Sequence, residues 1–421
     1  MTFPPNLRQD IEDGAMAVGP PGDDRAGHQR EATVATARSA SHDAAAVREA
    51  VQRCVAALPS VQSAFRRAGS VLLKPNLLSD RHGPDRHVNT HPSVVQALAA
   101  ILISDFGCEV AIGDSCGSQA RRSTAQALGV SGMVAVAERV GARIYNVDTE
   151  PRHVVPHPAG LILKEVPLPA TLGEFDLVVS VAKLKTHMLT YTTGPVKNML
   201  GLVPGSAKKD AHLIAPHPVK FATLLCDLYE LVRPGVAFVD GVVGMEGRGP
   251  SNGKLRPVGL IGAGDDAVAL DSFCAQVMGF DPLRVPLLAQ CGERGLGTVA
   301  PGDVAVRGEP AGAFAPEHFA KPPTYACRPL ARLVPGWLAR GAVRSVTTRY
   351  AGIRQDRCER CGECARNCPS GAIVLDQDTG RYSVDRGRCI CCFCCAEACP
   401  YDAIEAAGNW TTRIADWLRG T

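Results

Sequence analysis

Residues 175–187 read FDLVVSVAKLKTH. From Phe175 to Ala182 the run is strongly apolar and β-branched, the pattern of a buried strand, and it then continues as Lys183-Leu184-Lys185-Thr186-His187. If the strand stays extended, Lys183, Lys185 and His187 share one face, because side chains alternate with a period of two. Working outward, short strands are expected at Val71–Leu73, Glu109–Ile112, Arg143–Val147, Val236–Val239 and Val258–Ile261. Helical stretches fall at His91–Phe106 (capped by Thr90), Ser123–Val140, Phe221–Val232 and Ala267–Met278. Strands alternating with helices argue for an α/β fold, a mostly parallel sheet with helices on both faces.

In open α/β sheets, ligands bind beyond the carboxyl ends of the strands. Here those ends are polar: Lys74-Pro75-Asn76 after the first strand, Gly113-Asp114-Ser115 after the second, Asp240-Gly241 after a later one. Downstream lie Gly194, Lys197, Asn198, Gly201, Gly205, Lys208 and Lys209. A glycine-rich loop with lysines ahead of short helices suits an anionic ligand such as a carboxylate or phosphate. It is not a P-loop, because the GxxxxGK[ST] spacing is absent. The plainer alternative is that these lysines are solvated caps pointing separately into water.

The cysteines carry the sharpest signal. Ten of 17 fall between Cys358 and Cys399, so their grouping rather than their number needs explaining. Two runs match: Cys358-x2-Cys361-x2-Cys364-x3-Cys368-Pro369 and Cys389-x2-Cys392-x2-Cys395-x3-Cys399-Pro400. Each has the bacterial ferredoxin spacing for a [4Fe–4S] cluster, in which the fourth cysteine ligates the other cluster. The expected ligand sets are Cys358, Cys361, Cys364 and Cys399 for one, and Cys389, Cys392, Cys395 and Cys368 for the second. Zinc is the rival, since four-cysteine zinc sites also use paired CxxC knuckles. Cys391 and Cys394, interposed in the second run, are read as spectators that tune the potential, with alternative ligation or a redox pair as the other readings. Asp378-Thr379-Gly380 between Ala372–Leu375 and Arg381–Val384 signals a hairpin. About sixty residues thus resemble the pseudo-symmetric bacterial ferredoxin, a small α+β domain. Remaining cysteines such as Cys54, Cys226 and Cys274 read as small buried hydrophobes.

Composition narrows the class. A net charge of +3 gives no electrostatic case for nucleic acid, and aromatics at 5% weaken any base-stacking reading. No window approaches the run of about 18 apolar residues that a spanning helix needs. Residues 1–42 lack the pattern of a signal peptide and read as a disordered tail. A cytoplasmic setting follows, where thiols stay reduced and available to metals. The α/β domain is expected over 43–325, a basic linker over 326–350, the ferredoxin over 351–407 and a helix over 408–421 with Trp410, Ile414, Trp417 and Leu418 on one face. The arginine-rich linker suits domain docking better than contact with a membrane surface.

The stretches VLLKPNLLS, THPSVVQAL, VAIGDSCG, VAKLKTH, TTGPVKNMLG and FVDGVVGMEGRGP together resemble the domain of unknown function 362 family, over Val71 to Gly279. That resemblance implies a C-terminal two-cluster ferredoxin, iron–sulfur chemistry without an assigned reaction, and motif positions Lys74, Asn76, Asp114, Lys183, Lys185, His187, Lys197, Asn198, Asp240 and Glu246. The expectation is an iron–sulfur oxidoreductase served by a redox partner protein and acting on an anionic small molecule. Lys185, His187 and Asp240 would be catalytic, and Lys74, Asn76, Asp114, Lys183, Lys197, Asn198 and Glu246 substrate-binding. Non-catalytic electron transfer or partner binding is the other reading.

Overall fold

The computed structural model describes residues 32–117, 123–325 and 349–408. Most of the expected basic linker and the expected C-terminal helix lie outside these residues. In chain order the strands are β1 (Ala32–Arg38), β2 (Ser70–Pro75), β3 (Glu109–Asp114), β4 (Arg143–Asn146), β5 (Arg152–Pro156), β6 (Glu165–Pro169), β7 (Leu177–His187), β8 (Tyr191–Thr193), β9 (Val236–Glu246), β10 (Lys254–Gly264) and β11 (Val304–Arg307). The main sheet runs β11-β1-β10-β9-β7-β2-β3-β4, with β8 folded back on β7. From β4 to β9 every pairing is parallel, whereas β10 is antiparallel to both its neighbours.

β7 explains the sheet. All its residues are buried, and alternate side chains feed two separate cores. Val179 and Val181 pack with Val47, Leu98 and Met133 of the helices on one face. Val178, Ala182 and Leu184 pack with Phe221, Leu225 and Phe273 on the other. The expectation of a parallel sheet covered on both faces is met.

Three details differ from expectation. The disordered tail to His42 fails from Ala32 onward: Ala32–Arg38 is a strand between β10 and β11. Its alternating small and β-branched residues suit a sheet, but they adjoin a polar, Gly/Pro-rich stretch that masks them. The stretch Ser123–Val140 is two helices, Thr124–Val130 and Met133–Val140, divided where Gly132 turns left-handed at φ 83°. Finally, the helix Pro92–Phe106 is capped by His91 rather than Thr90. The Thr90 hydroxyl instead donates to the Val181 carbonyl (2.7 Å) and accepts from Asn76 N–H (2.9 Å), tying the ends of β2 and β7 together.

The smaller domain contains β12 (Tyr350–Ile353), β13 (Ile373–Leu375), β14 (Tyr382–Val384) and β15 (Ile404–Ala407). β12 pairs with β15, and β13 with β14 in the expected hairpin. The two cysteine runs are conformational repeats. At one constant offset, left-handed residues recur as Arg360 and Cys391, Gly362 and Phe393, Gly371 and Asp402. Met188, from the turn after β7, enters this domain's core beside Ile373, Phe393 and Ile404.

Candidate functional site

The strand-end lysines are buried almost completely: Lys74 is 0% exposed, Lys183 1% and Lys185 1%. A buried ion costs several kcal/mol unless it is paired, and each of these has a partner. Lys74 Nζ lies 2.8 Å from Asp114 Oδ1 and donates to Asn198 Oδ1 at 3.2 Å. Asn198 in turn donates to the Lys74 carbonyl and the Ser180 hydroxyl. A Cβ on Gly201 would collide with the Asp114 carboxylate, so this pair is closed over by backbone that only glycine permits. Lys183 Nζ meets Asp240 Oδ2 at 2.8 Å, and Lys185 Nζ donates to the Val88 carbonyl at 2.7 Å. Burial lowers the pKa of Lys74 and Lys183, opposed by their carboxylates; it depresses Lys185 further, and nearby Lys197 adds to the effect.

Above this layer lies a crevice whose far wall belongs to the cysteine-rich domain. Asn76, Asp114, Lys183, His187, Lys197 and Asn198 line it from the α/β side, together with Lys208 and His212. Asn367, Cys394 and Glu397 line it from the other. Lys208 Nζ donates to the Ser115 and Cys116 carbonyls (2.6 and 3.3 Å), and burial brings its pKa to about 8. His187 Nδ1 accepts the Leu189 N–H at 3.0 Å, which leaves the proton on Nε2, 3.2 Å from Glu397 Oε1. Burial first, then Lys197, lowers the His187 pKa to about 4, so the ring is neutral at pH 7. Among the described residues, Asn76 Oδ1 and His212 Nδ1 are buried without a hydrogen-bond partner, a condition that internal polar atoms tolerate poorly.

Six of the ten expected α/β residues therefore line one cavity, and Lys74 supports it from beneath. Lys185 and Asp240 do not line it. Asp240 is used up by Lys183, by His42 Nε2 (3.0 Å) and by His91 N–H (2.9 Å). Burial would raise its pKa, but Lys183 and His42 overcome this and hold it below the usual carboxylate range. His42, His87 and His91 stack beside it, with centroids 3.8 Å apart for His42 and His91. Glu246 lies elsewhere, accepting from Ala320 N–H at 3.0 Å near Arg256. The reason is a register break: Lys183 pairs with Asp240 but Lys185 with Met245, and the extra β9 residues bulge at Gly241–Gly244 around Leu184. Sequence reading missed His212, Glu397 and Cys394 as crevice residues. For His212 a signal existed, since it stands four residues after Lys208 on the helix Gly205–Ile214. The acidic group His157, Asp227 and Glu230 is already neutralised by Arg294, at 2.8 and 2.7 Å from the two acids.

In the smaller domain the cysteines wall two cavities. Cys358, Cys361, Cys364 and Cys399 line one, and Cys368, Cys389, Cys392 and Cys395 line the other. The fourth cysteine of each run thus sits with the first three of the other. Eight cysteines in two crossed sets of four, with the ferredoxin spacing, fit two cubane clusters better than paired zinc knuckles. Cys391 lines the second of these cavities, while Cys394 lines the crevice. The two do not share a cavity, which speaks against a redox pair.

A loop between β9 and β10 clamps the domains together. Asn252 donates to the Ala396 carbonyl (2.9 Å), Ser251 to the Glu397 carbonyl (3.2 Å), and Arg248 pairs with Asp402 (2.8 Å). Arg81 adds an ion pair to Glu363 at 2.9 Å.

Comparison with known proteins agrees with this division. Residues 71–276 match a domain of unknown function (DUF362), and residues 357–403 match a 4Fe-4S dicluster domain. Over 275 residues the chain is 30% identical to thylakoid-associated protein sll1697 of Synechocystis sp., a match covering 64% of this chain and 81% of that one. No helix among the described residues is long and apolar enough to cross a membrane. The chain belongs to the DUF362 family, and its dicluster domain makes it an iron–sulfur protein suited to electron transfer.

Proposed function

We propose that this protein is an iron–sulfur oxidoreductase that delivers electrons to an anionic small molecule held in the crevice. One observation carries the reading: the helix Cys394–Ala398 supplies both Cys395 of the second cysteine-walled cavity and the crevice residues Cys394 and Glu397. Two [4Fe–4S] clusters, held by Cys358, Cys361, Cys364 and Cys399 and by Cys368, Cys389, Cys392 and Cys395, would supply single electrons when bound. The remaining chemistry belongs to the chain's own residues. Lys208, charged below pH 8 and fixed by two carbonyls, holds the substrate's anionic group. His187 presents its Nε2 proton beside Glu397 at the domain boundary. The ferredoxin wall excludes water, which strengthens these polar contacts. A redox partner protein would approach the first cavity, where Cys361 is exposed. The setting we assign is the cytoplasm.

The test is an anaerobic screen of dithionite-reduced protein against small carboxylates and phosphates, following cluster absorption. At least one anion should bind saturably and speed reoxidation. If none binds, and reoxidation proceeds only with a protein acceptor, the chain is an electron carrier and the oxidoreductase reading fails.

A further inference from the structure

The lysines in and beneath the crevice are not equivalent. Lys74 and Lys183 are matched to carboxylates, while Lys185 and Lys208 are matched to carbonyls. Lys197 differs. It lines the cavity from the short helix Pro195–Asn198, and its ammonium has no hydrogen bond or ion pair among the described residues. Its surroundings include the unpartnered Asn76 Oδ1 and His212 Nδ1 in the same cavity wall. An amine with no bonded partner among the described residues, half-buried in one cavity with a lysine that can fix an anion, is arranged for chemistry rather than for charge pairing.

We infer that Lys197 is a nucleophile that captures the carbonyl group of a small oxo-acid as an imine. The inference rests on the crevice being a substrate site and adds the substrate's class. Lys208 holds the carboxylate and Lys197 Nζ attacks the aldehyde or ketone carbon. The C=O bond is replaced by C=N, the oxygen leaves as water, and both hydrogens of that water come from the amine nitrogen. No electrons change hands, so no oxidant or reductant is required. Burial lowers the Lys197 pKa against the opposing charges of Glu397 and Cys394, with Lys74 adding to the fall, and this favours the neutral amine that attack requires. The resulting imine accepts electrons more readily than the parent carbonyl once protonated.

The experiment uses the full chain, anaerobic and cluster-loaded, with glyoxylate and sodium cyanoborohydride at neutral pH, followed by peptide mass mapping. Lys197 should be alkylated first, at least about tenfold faster than Lys209, a second half-buried lysine of the same cavity. Oxalate, which has no aldehyde, should protect Lys197 by competition. Lys197→Arg should abolish the fast modification while keeping the iron content. If that variant does not fold, protection by oxalate in the unaltered chain carries the test. Modification scattered over surface lysines, or at Lys197 no faster than at Lys209, overturns the inference. Calorimetry with oxalate then separates the two ideas: saturable binding preserves the crevice site and discards only the imine, whereas no binding removes both.

Discussion

The two cysteine-walled cavities are near-copies in backbone conformation, yet their surroundings differ. The first has Cys361 exposed and Arg360 and Glu359 around it. Each has two buried cysteines, but the second has none exposed, and its helix forms part of the crevice wall. A symmetric module has thus been docked asymmetrically, by Met188, the β9–β10 loop and the Arg81–Glu363 pair. Position rather than ligation distinguishes the two halves, and it gives the pair a direction, from an outward-facing half to one that faces the crevice.

The strongest way to break this comparison is to remove one half at a time. Anaerobic protein should hold about eight iron and eight sulfide. Cys368→Ala should damage the second cluster and Cys399→Ala the first, each leaving roughly half the iron. Only the first of these should stop electron delivery to a crevice ligand without stopping reduction of the protein by dithionite. Iron loss that followed the run rather than the cavity would show the crossed grouping to be wrong, and stoichiometric zinc would dispose of the clusters altogether.

A smaller effect is expected in the crevice. Lys208→Met keeps the apolar stem and deletes the ammonium. Loss of a charge-assisted hydrogen bond worth about 1.5–3 kcal/mol should weaken anion binding roughly ten- to a hundredfold, with iron content unchanged. Binding should also depend on pH. Lys208 is faced by Asp114, Asp148, Cys116 and Lys74, with burial its dominant influence and its pKa about 8. The protonated form binds the anion, so affinity should be level below pH 8 and fall above it; titration calorimetry across that range checks the sign. An affinity rising with pH would assign the anion to another group.

Asp271, buried beneath Gly194 and accepting Val196 N–H at 2.9 Å, acts on stability rather than on binding. Burial raises its pKa from 3.8 to about 7. Between those values the folded state holds a proton that the unfolded chain has released, so stability contributed below pH 4 is lost as pH rises to 7. Asp271→Asn should flatten that part of the denaturation profile. Least of all, Arg248→Ala removes a half-exposed ion pair and should cost at most about 1 kcal/mol, read as a small drop in melting temperature.

The cysteine module was legible in the sequence because its ligands lie close together along the chain, and their spacing reports geometry directly. The crevice was legible in part. Asn76, Asp114, Lys183 and His187 follow from one rule, that strand ends of an α/β sheet converge, and Lys197 and Asn198 from the glycine- and lysine-bearing stretch downstream. What escaped depends on distant contacts. Alternation along β7 places Lys183 and Lys185 on one face, but the Gly241–Gly244 bulge gives them different partners. Asp240 reads as a free carboxylate until His42 arrives from a stretch that resembles a tail. Glu397 carries no local mark of its own. It matters because the domains dock so that it meets His187.

That docking has a mechanical consequence. A crevice with one wall on each of two domains loses its shape when the walls part, so how tightly it grips a bound molecule is tied to the strength of the clamp. The Arg248–Asp402 and Arg81–Glu363 pairs are partly open to solvent, and salt screens such pairs. Ionic strength therefore acts on this protein as a lever on its grip: the more dilute the medium, the firmer the two walls hold together.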